Sequence, residues 1–253
     1  MSSFIFRFCQ YVKYWWTSKN AHGLHSPFLF RFYNEVIKKR SVVPEELKVI
    51  RKKLFKEKSI LEYIDPKTKY VFRKSIREIA RGSLSKSNFS LFLSNLIQWQ
   101  GYSTVLETGT SIGYNSLFLS KTTRARIFTI EGSQVIYDYA NEFIKNHNCQ
   151  NINIIYGNIH EIFERHLALM KPDLIFLDAD HQSKSILNQI ECIKTTHIPK
   201  CIVIHDIYWS PDMYNAWRTI ISDNQLTLTV DIFEAGIVFP DYNGVKQHFK
   251  IRF

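Results

Sequence analysis

The sequence predicts an α/β fold with a mostly parallel sheet, preceded by a helical region. From residue 104 onward, short apolar runs alternate with stretches that have the apolar spacing of helices, a pattern typical of βαβ units. Seven runs are predicted to be strands, at residues 104–107, 125–130, 152–156, 173–177, 201–204, 226–232 and 236–239. Only three residues separate the last two runs, too few for a parallel crossover, so the seventh strand is predicted to be antiparallel. The run at residues 248–253 is also strand-like, but the sequence does not place it.

Residues 1–82 are predicted to be a basic, aromatic-rich helical cap region, and residues 83–253 the α/β domain. Ser26-Pro27 is a helix start signal, with Ser as the N-cap, and cations at residues 38–40 suit the helix end. A second helix is predicted from Pro44 to Lys58 and a third over residues 70–81. Gly82 then interrupts the helical pattern.

The charge of the chain is unevenly distributed. Residues 1–95 hold 20 Lys and Arg against 7 Asp and Glu, whereas residues 96–253 hold 13 against 16. Such asymmetry indicates an acidic partner, such as nucleic acid, anionic lipid or a phosphorylated substrate, with a solvated basic surface as the alternative. The 45% hydrophobic and 22% charged content is that of a globular protein, which excludes a disordered or fibrous chain.

Cysteine spacing argues against a zinc-binding or disulfide-bonded protein, and the length of the apolar segments argues against a membrane-spanning one. The four cysteines form no C-x-x-C pair and no metal-ligand spacing, so we expect reduced thiols rather than zinc or disulfides. Residues 2–16 are apolar but too short and too charged for a spanning helix or a signal-peptide core, and a cytoplasmic location is expected. The aromatic side chains of this segment could rest on a bilayer surface, although packing against the protein is the favoured expectation.

A strand meets a helix at residues 105–116 through a turn that contains two glycines. Gly109 allows the backbone to approach a ligand, and Glu107 ends the strand where it could reach an ammonium group. Glu131 ends the next strand, 24 residues later, where a carboxylate could bind ribose hydroxyls or be a surface acid. A dinucleotide site would need G-x-G-x-x-G, and the third glycine is missing here, which favours a nucleoside without a pyrophosphate.

Residues 106–116, LETGTSIGYNS, resemble motif I of class I methyltransferases that depend on S-adenosylmethionine (SAM), and are most similar to the small-molecule O-methyltransferases. The resemblance covers about residues 80–240 and implies a Rossmann-like seven-stranded sheet and SAM as cofactor. Asn158 matches the adenine-side position, at which many relatives carry an acid. The cofactor-binding set implied by the resemblance is Glu107, Gly109, Thr110, Ser111, Gly113, Tyr114, Asn115, Glu131, Asn158 and Asp178.

Residues 173–181, DLIFLDADH, are a hydrophobic strand that ends in two carboxylates and an imidazole. They resemble the D-A-D-K/H or D-G-D-H segment of catechol, caffeoyl-CoA and sugar O-methyltransferases, in which the first acid lies beside the transferring methyl group. The resemblance makes Asp178 a metal ligand or a substrate-side acid. His181 is predicted to be a general base, because an ordinary imidazole pKa suits proton transfer at neutral pH. The alternative is a helix-start residue bonded to backbone.

The fifth predicted strand ends in His205-Asp206, which brings another acid to the edge where Asp178 lies. Metal-dependent relatives end this strand in Asp-Asn, whereas this sequence has Ile207 in place of the Asn. We therefore expect any divalent cation (Mg²⁺) at Asp178 and Asp206 to bind weakly, because hard cations want six or more oxygen ligands.

Two segments before the catalytic domain are further candidates. Residues 20–27 contain His22 and His25 and are predicted to be a helix-capping turn, or else a loop that covers a substrate. A second set lies where related O-methyltransferases fold a segment over the cofactor, and could bind an acidic substrate: Arg77, Arg81, Ser83 and Lys86.

The leading functional prediction is a SAM-dependent O-methyltransferase that acts on a small hydroxylated acceptor, acidic or lipid-like. Its predicted catalytic residues are His181, Asp178 and Asp206. One alternative is an RNA methyltransferase that uses the basic N-terminal region, although no RNA-binding module is recognisable. Another is a non-catalytic SAM-binding or membrane-surface protein. A homodimer is left open.

Overall fold

The computed structural model describes residues 3–20, 26–64 and 70–253, which form two compact units. One unit contains residues 1–39 and 163–253, and the other contains residues 40–162. The helices in chain order are α1 (Ser3–Thr17), α2 (Pro27–Phe32), α3 (Glu45–Leu54), α4 (Ile76–Ser83), α5 (Ser87–Gln100), α6 (Tyr114–Thr122), α7 (Gln134–Lys145), α8 (Ile159–Met170), α9 (Ser183–Thr196) and α10 (Pro211–Ser222). The strands are β1 (Ile60–Ile64), β2 (Val71–Ser75), β3 (Thr104–Thr108), β4 (Arg126–Glu131), β5 (Ile152–Tyr156), β6 (Leu174–Leu177), β7 (Cys201–His205), β8 (Leu228–Asp231), β9 (Ala235–Phe239) and β10 (Gln247–Lys250).

In the unit of residues 40–162, three strands lie in the order β3-β4-β5, and each pair is parallel. All five residues of β3 are buried, as expected for a strand that is covered on both faces. Helix α5 is followed by Gly101, whose φ of 64° provides a left-handed C-cap, and it buries Phe89, Phe92, Leu93, Leu96 and Ile97.

In the unit of residues 1–39 and 163–253, five strands lie in the order β10-β8-β9-β7-β6. Strands β6 and β7 are parallel, whereas β9 is antiparallel to both β7 and β8, as predicted from the short link before it. The predicted mixed α/β fold with a mostly parallel sheet is confirmed. Among the described residues, β3 to β10 are eight strands instead of the predicted seven, because the run at residues 248–253, which the sequence could not place, overlaps β10, which pairs parallel to β8.

The helix predicted over residues 70–81 was wrong in its first half. Residues 71–75 form β2, which pairs antiparallel with β1, and α4 begins only at Ile76. The start of α4 is fixed by a capping box in which Ser75 and Glu78 exchange side-chain and backbone hydrogen bonds. Pairing with a neighbouring strand has thus overridden the local helical spacing before the cap.

The helix starts in the N-terminal region agree more closely with the sequence. Ser26 caps α2, its side chain accepting the backbone N–H of Leu29, with Pro27 at the first helical position. The helix continues as a π-helical turn over Tyr33–Ile37. Helix α3 ends at Leu54, four residues before the predicted Lys58. His22 and His25 lie outside the described residues.

Candidate active site

The turn after β3 is tied to the end of β4 by backbone hydrogen bonds. The N–H groups of Gly109 and Thr110 both donate to the carbonyl of Ile130, at 3.0 and 3.2 Å. The Thr110 hydroxyl lies 2.8 Å from the hydroxyl of Thr129. Gly109 has a φ of 92°, a left-handed conformation that glycine adopts without steric cost. The turn is therefore held rigidly while its backbone can approach a ligand.

Glu131, at the end of β4, anchors the same turn. Its Oε2 accepts the N–H of Ser111 at 2.9 Å, and its Oε1 accepts the N–H of Ser133 at 2.9 Å. Burial raises the pKa of Glu131, and hydrogen bonds from the backbone of Ser133, Ser111 and Gly132 oppose that shift. Because a carboxylate has about four lone-pair sites, Glu131 keeps capacity to accept a further donor such as a ribose hydroxyl. The arrangement fits a nucleoside.

Glu107 is buried and bonded inside the protein. Its Oε1 accepts from the side-chain amide of Asn115 at 2.7 Å, and its Oε2 accepts from the hydroxyl of Ser116. Both partners lie in the first turn of α6, so the carboxylate holds that helix start against the end of β3. The predicted contact between Glu107 and a ligand's ammonium group stays a prediction.

Gly113 and Tyr114 shape the start of α6. Gly113 has a φ of 81°, and an added Cβ would lie 3.2 Å from Cδ1 of Ile144, so the position has little room for a side chain. The Tyr114 side chain is buried and donates its hydroxyl to the carbonyl of Leu47 at 3.0 Å. Tyr114 can therefore offer a cofactor its backbone, while its ring supports the fold.

Two further predicted residues lie near helix ends. The Ser111 hydroxyl is 2.8 Å from that of Ser83, at the end of α4, so α4 reaches the turn as the predicted covering segment should. Asn158 precedes α8, its Oδ1 accepting the N–H of His160 and its amide donating to Glu161. Asn158 is thus a helix cap at the end of β5.

At the ends of β6 and β7, partly buried acids surround one buried imidazole, and Glu234, from the link between β8 and β9, joins them. The Nδ1 atom of His205 lies 2.7 Å from Oδ1 of Asp178 and 3.8 Å from Oδ2 of Asp206, and its Nε2 lies 3.9 Å from Oε1 of Glu234. Burial lowers the pKa of His205, but the charge of Asp178 and its hydrogen bond, together with Glu234 and Asp206, raise it to about 10. His205 is therefore a cation at neutral pH that holds the carboxylates together.

Arg7 of α1 joins this network, and sequence reasoning missed it. Its guanidinium donates to Oδ1 of Asp206 at 2.9 Å and lies 5.6 Å from the ring centre of Trp209. The Arg7 side chain is 37% exposed, whereas that of Asp206 is 13% exposed. The signal that could have found it was a lone arginine within an apolar, aromatic helix.

Of the predicted catalytic residues, Asp178 and Asp206 are brought together through His205. His181 lies in the loop after β6, with its ring 5.6 Å from that of Trp209, which in turn lies under Arg7. The N-cap position of α9 is occupied by Gln182 rather than His181.

The acids at the ends of β6 and β7 do not fit a divalent cation. Asp206 is already paired with the Arg7 guanidinium, and Asp178 with a charged His205, so a metal ion would meet two fixed cations. Ile207 is buried, and within residues 3–20, 26–64 and 70–253 no cluster of three or more His, Cys, Asp or Glu could hold a metal.

The family model described as a methyltransferase domain matches residues 106–207, a span that begins within β3 and ends just after β7. Residues 106–207 are therefore similar to a methyltransferase domain, in agreement with the predicted class of SAM-dependent methyltransferases. The predicted Rossmann-like fold is confirmed.

Solved methyltransferase structures share this fold. A methyltransferase of Podospora anserina, PaMTH1 with bound S-adenosylhomocysteine (SAH), is 15% identical, covers 85% of this chain and 96% of its own, and has a TM-score of 0.61. An O-methyltransferase of Bacillus cereus in complex with SAH is 16% identical, with 83% and 96% covered and a TM-score of 0.53. The O-methyltransferase TomG of Streptomyces achromogenes, in complex with SAM, is 15% identical, with 62% and 80% covered and a TM-score of 0.50. No curated protein matches the chain significantly.

Proposed function

We propose that this methyltransferase transfers the methyl group of SAM to a hydroxyl group of a small acceptor. The observation that carries the proposal is the set of acidic and imidazole groups at the ends of β6 and β7, which can bind, orient and deprotonate a hydroxyl. The solved relatives named above include O-methyltransferases that bind SAM or SAH, which supports the same reaction class. Residues 83–253 are the catalytic domain in this proposal, and residues 1–82 are its cap.

The turn after β3 is the cofactor-binding part of the proposal. The backbone from Gly109 through Ser111 to Gly113 cradles the methionine end, and Glu131 accepts hydrogen bonds from the ribose hydroxyls. The remaining predicted residues support these contacts: Glu107 and Asn115 hold the helix start, Thr110 and Tyr114 fix the turn, and Asn158 lies on the adenine side. The family resemblance implies that Asp178 is a substrate-side acid.

The reaction needs an electrophilic methyl group, which bound SAM supplies, and a nucleophilic oxygen, which the protein must prepare. We propose that His181 accepts the hydroxyl proton as the C–O bond forms and the C–S bond breaks, leaving SAH. Asp178 orients the hydroxyl, and its own position is fixed by the charged His205. Arg7 offers N–H donors to the developing oxyanion or to an acidic group of the acceptor.

Arg7 also supplies positive charge beside Asp206 without a metal ion. A fixed guanidinium at Asp206 stabilises a developing oxyanion without a divalent cation. Activity in excess EDTA should therefore stay within a few-fold of that in Mg²⁺. Complete loss in EDTA with rescue by Mg²⁺ would show that Asp178 and Asp206 do hold a catalytic metal.

The proposal is tested by incubating the protein with SAM and a panel of phenols, catechols and hydroxylated amphiphiles, and identifying methylated products by mass spectrometry. The expected product carries the methyl group on oxygen, and its formation should fall strongly in Asp178→Asn. The exposed Asp138→Asn, on α7, is the matched control. A product methylated on nitrogen, or on RNA alone, would contradict the proposal.

A further inference from the structure

Helix α1 presents an exposed apolar face that nothing in the proposed reaction uses. Trp16 is 82% exposed, Phe4 80% and Phe8 61%. Ile5, Tyr11, Val12 and Trp15 are also exposed. These seven positions recur with helical spacing, so they form one continuous face. A contiguous exposed apolar face of this size marks an interaction site.

The opposite face of α1 is packed within its own unit. Phe6 and Tyr14 are buried, and the Tyr14 ring lies 5.4 Å from that of Phe233. The Tyr14 hydroxyl donates to the carbonyl of Ile251. The apolar face is thus presented by a helix that is fixed in place, and not by a loose terminal segment.

Three cations lie beside this face, one of which, Arg7, is paired with Asp206. Arg7 and Lys13 lie at its two edges by helical spacing, and the Arg252 guanidinium lies 3.9 Å from the ring centre of Trp15. The first acidic residue of the whole chain is Glu35. Aromatic side chains flanked by Lys and Arg are the composition of helices that lie in the headgroup region of a bilayer.

We propose that α1 binds the surface of bilayers that contain anionic lipids, with its apolar face inserted among the headgroups. A symmetric dimer through this face would bring Arg7, Lys13 and Arg252 of both copies together, a like-charge arrangement that disfavours association. An anionic headgroup layer matches the same charges. No helix of the described residues is long and apolar enough to cross a membrane.

The surface also suggests what the acceptor is, and this step rests on the proposed function. Arg7 lies at the edge of the apolar face and at the same time binds Asp206 at the end of β7. A lipid-dissolved acceptor whose hydroxylated head leaves the headgroup layer would meet these residues first. The acceptor class is therefore a hydroxylated amphiphile.

The test is vesicle co-sedimentation of the full chain, without SAM or acceptor, on phosphatidylcholine alone and on phosphatidylcholine mixed with phosphatidylglycerol. The protein should bind the anionic vesicles and be released by salt. Changing Phe4, Phe8 and Trp16 together to Ser should lower the binding constant by about tenfold or more. Leu169→Ser, an exposed apolar residue on α8, is the matched control and should bind as the wild type does.

Several outcomes would overturn the proposal. They are absence of binding to the anionic vesicles, equal binding to both vesicle types, and equal binding of the wild type and the triple variant. A thermal melt checks that the triple variant folds, and the single variant Trp16→Ser repeats the comparison with a smaller change. A dimer that the triple variant converts to monomers, without vesicle binding, would assign the face to a second copy. Because no cofactor is present, failure here is separate from failure of the methyl-transfer assay. Faster methylation of an amphiphilic alcohol in anionic vesicles than in detergent tests the acceptor class.

Discussion

At the residue scale, the ends of β6 and β7 gather three carboxylates and two cations. Asp178, Asp206 and Glu234 lie around His205, and Arg7 adds the second positive charge. Buried carboxylates are stable only when they are paired, so removing either cation should disturb the whole network. In the proposed function, the same pairing supplies positive charge without a divalent metal.

Replacing His181 by Ala should reduce kcat by about 10²–10⁴-fold, because a positioned general base typically contributes that much. SAH affinity and melting temperature should stay near the wild-type values, since the ring lies against Trp209 in a loop outside the buried core. Kinetics, calorimetry and a thermal melt on the same protein measure all three. His160→Ala, at an exposed position on α8, is the matched control.

A well-folded His181→Ala protein with near-normal kcat would move the catalytic role to another group. A variant that loses both stability and activity would instead assign His181 to the fold. Rescue of kcat in His181→Ala by added imidazole would support the role of His181 as the general base.

The sequence predicted individual site residues best where they lie at strand ends. Asp178 and Asp206 could be placed at one edge because parallel strands end together. Arg7 could not, since its partner is 199 positions away and no local pattern encodes that distance. The internal partners of Glu107 were also beyond sequence reasoning, because a buried carboxylate and a ligand-binding one have the same neighbours in the chain.

At the element scale, three glycines in or beside different helices differ in what their positions require: Gly113 precedes α6, Gly101 caps the end of α5, and Gly82 lies within α4. Gly113 has a positive φ and a crowded Cβ direction, Gly101 has a positive φ with open space, and Gly82 has open space and no positive φ. Substituting each of these glycines by Ala therefore distinguishes the cost of a strained backbone from the cost of a crowded side chain.

Gly113→Ala should destabilise the protein by about 1–3 kcal/mol, because a left-handed residue with a side chain is strained and its Cβ meets Ile144. Gly101→Ala should cost less, and Gly82→Ala, inside α4, should be neutral or stabilising. Denaturant unfolding measures the three changes. Equal stability of the Gly113 and Gly82 variants would contradict the structure of the turn.

Strand β10 provides a pH-dependent element. The Nδ1 atom of His248 lies 2.9 Å from the Thr229 hydroxyl of β8, and burial, together with Lys250 and Lys246, lowers the pKa of His248 to about 4. The unfolded chain binds this proton near pH 6.5, before the folded protein does. The stabilising contribution is therefore complete above that pH and is lost as the pH falls towards about 4.

In His248→Gln, the free energy of unfolding should fall less steeply between about pH 6.5 and about pH 4 than in the wild type. Denaturant melts at several pH values measure the slope, with His160→Gln as an exposed control. Identical slopes in wild type and His248→Gln would show that this histidine is not buried as described.

Element types followed from the sequence where apolar periodicity was strong, as in β3 to β7 and the helices between them. They did not follow where pairing with a distant strand decided the outcome. Residues 71–75 were predicted to be helical because strand β2 depends on its pairing with β1. The run at residues 248–253 was recognised as strand-like, but its place beside β8 is set by a pairing that no local pattern encodes.

At the scale of the whole molecule, the net charge of +10 arises from the first 95 residues. The sequence indicated an acidic partner for this region without naming it. The exposed apolar face of α1 favours one kind of acidic partner over another, because nucleic acid would not require seven exposed apolar side chains on one helix. Anionic lipid satisfies both the charge and the apolar face.

The central claim is that the chain binds SAM through the turn after β3 and Glu131, and isothermal titration calorimetry tests it most directly. SAM and SAH should bind with dissociation constants in the micromolar range or below, whereas NAD should not bind. Glu131→Ala should weaken SAH binding by about 1.5–3 kcal/mol, the cost of losing a hydrogen-bonded carboxylate, while the exposed Glu142→Ala on α7 should bind as the wild type does. Binding of NAD but not of SAM, or unchanged SAH affinity in a folded Glu131→Ala protein, would contradict the account.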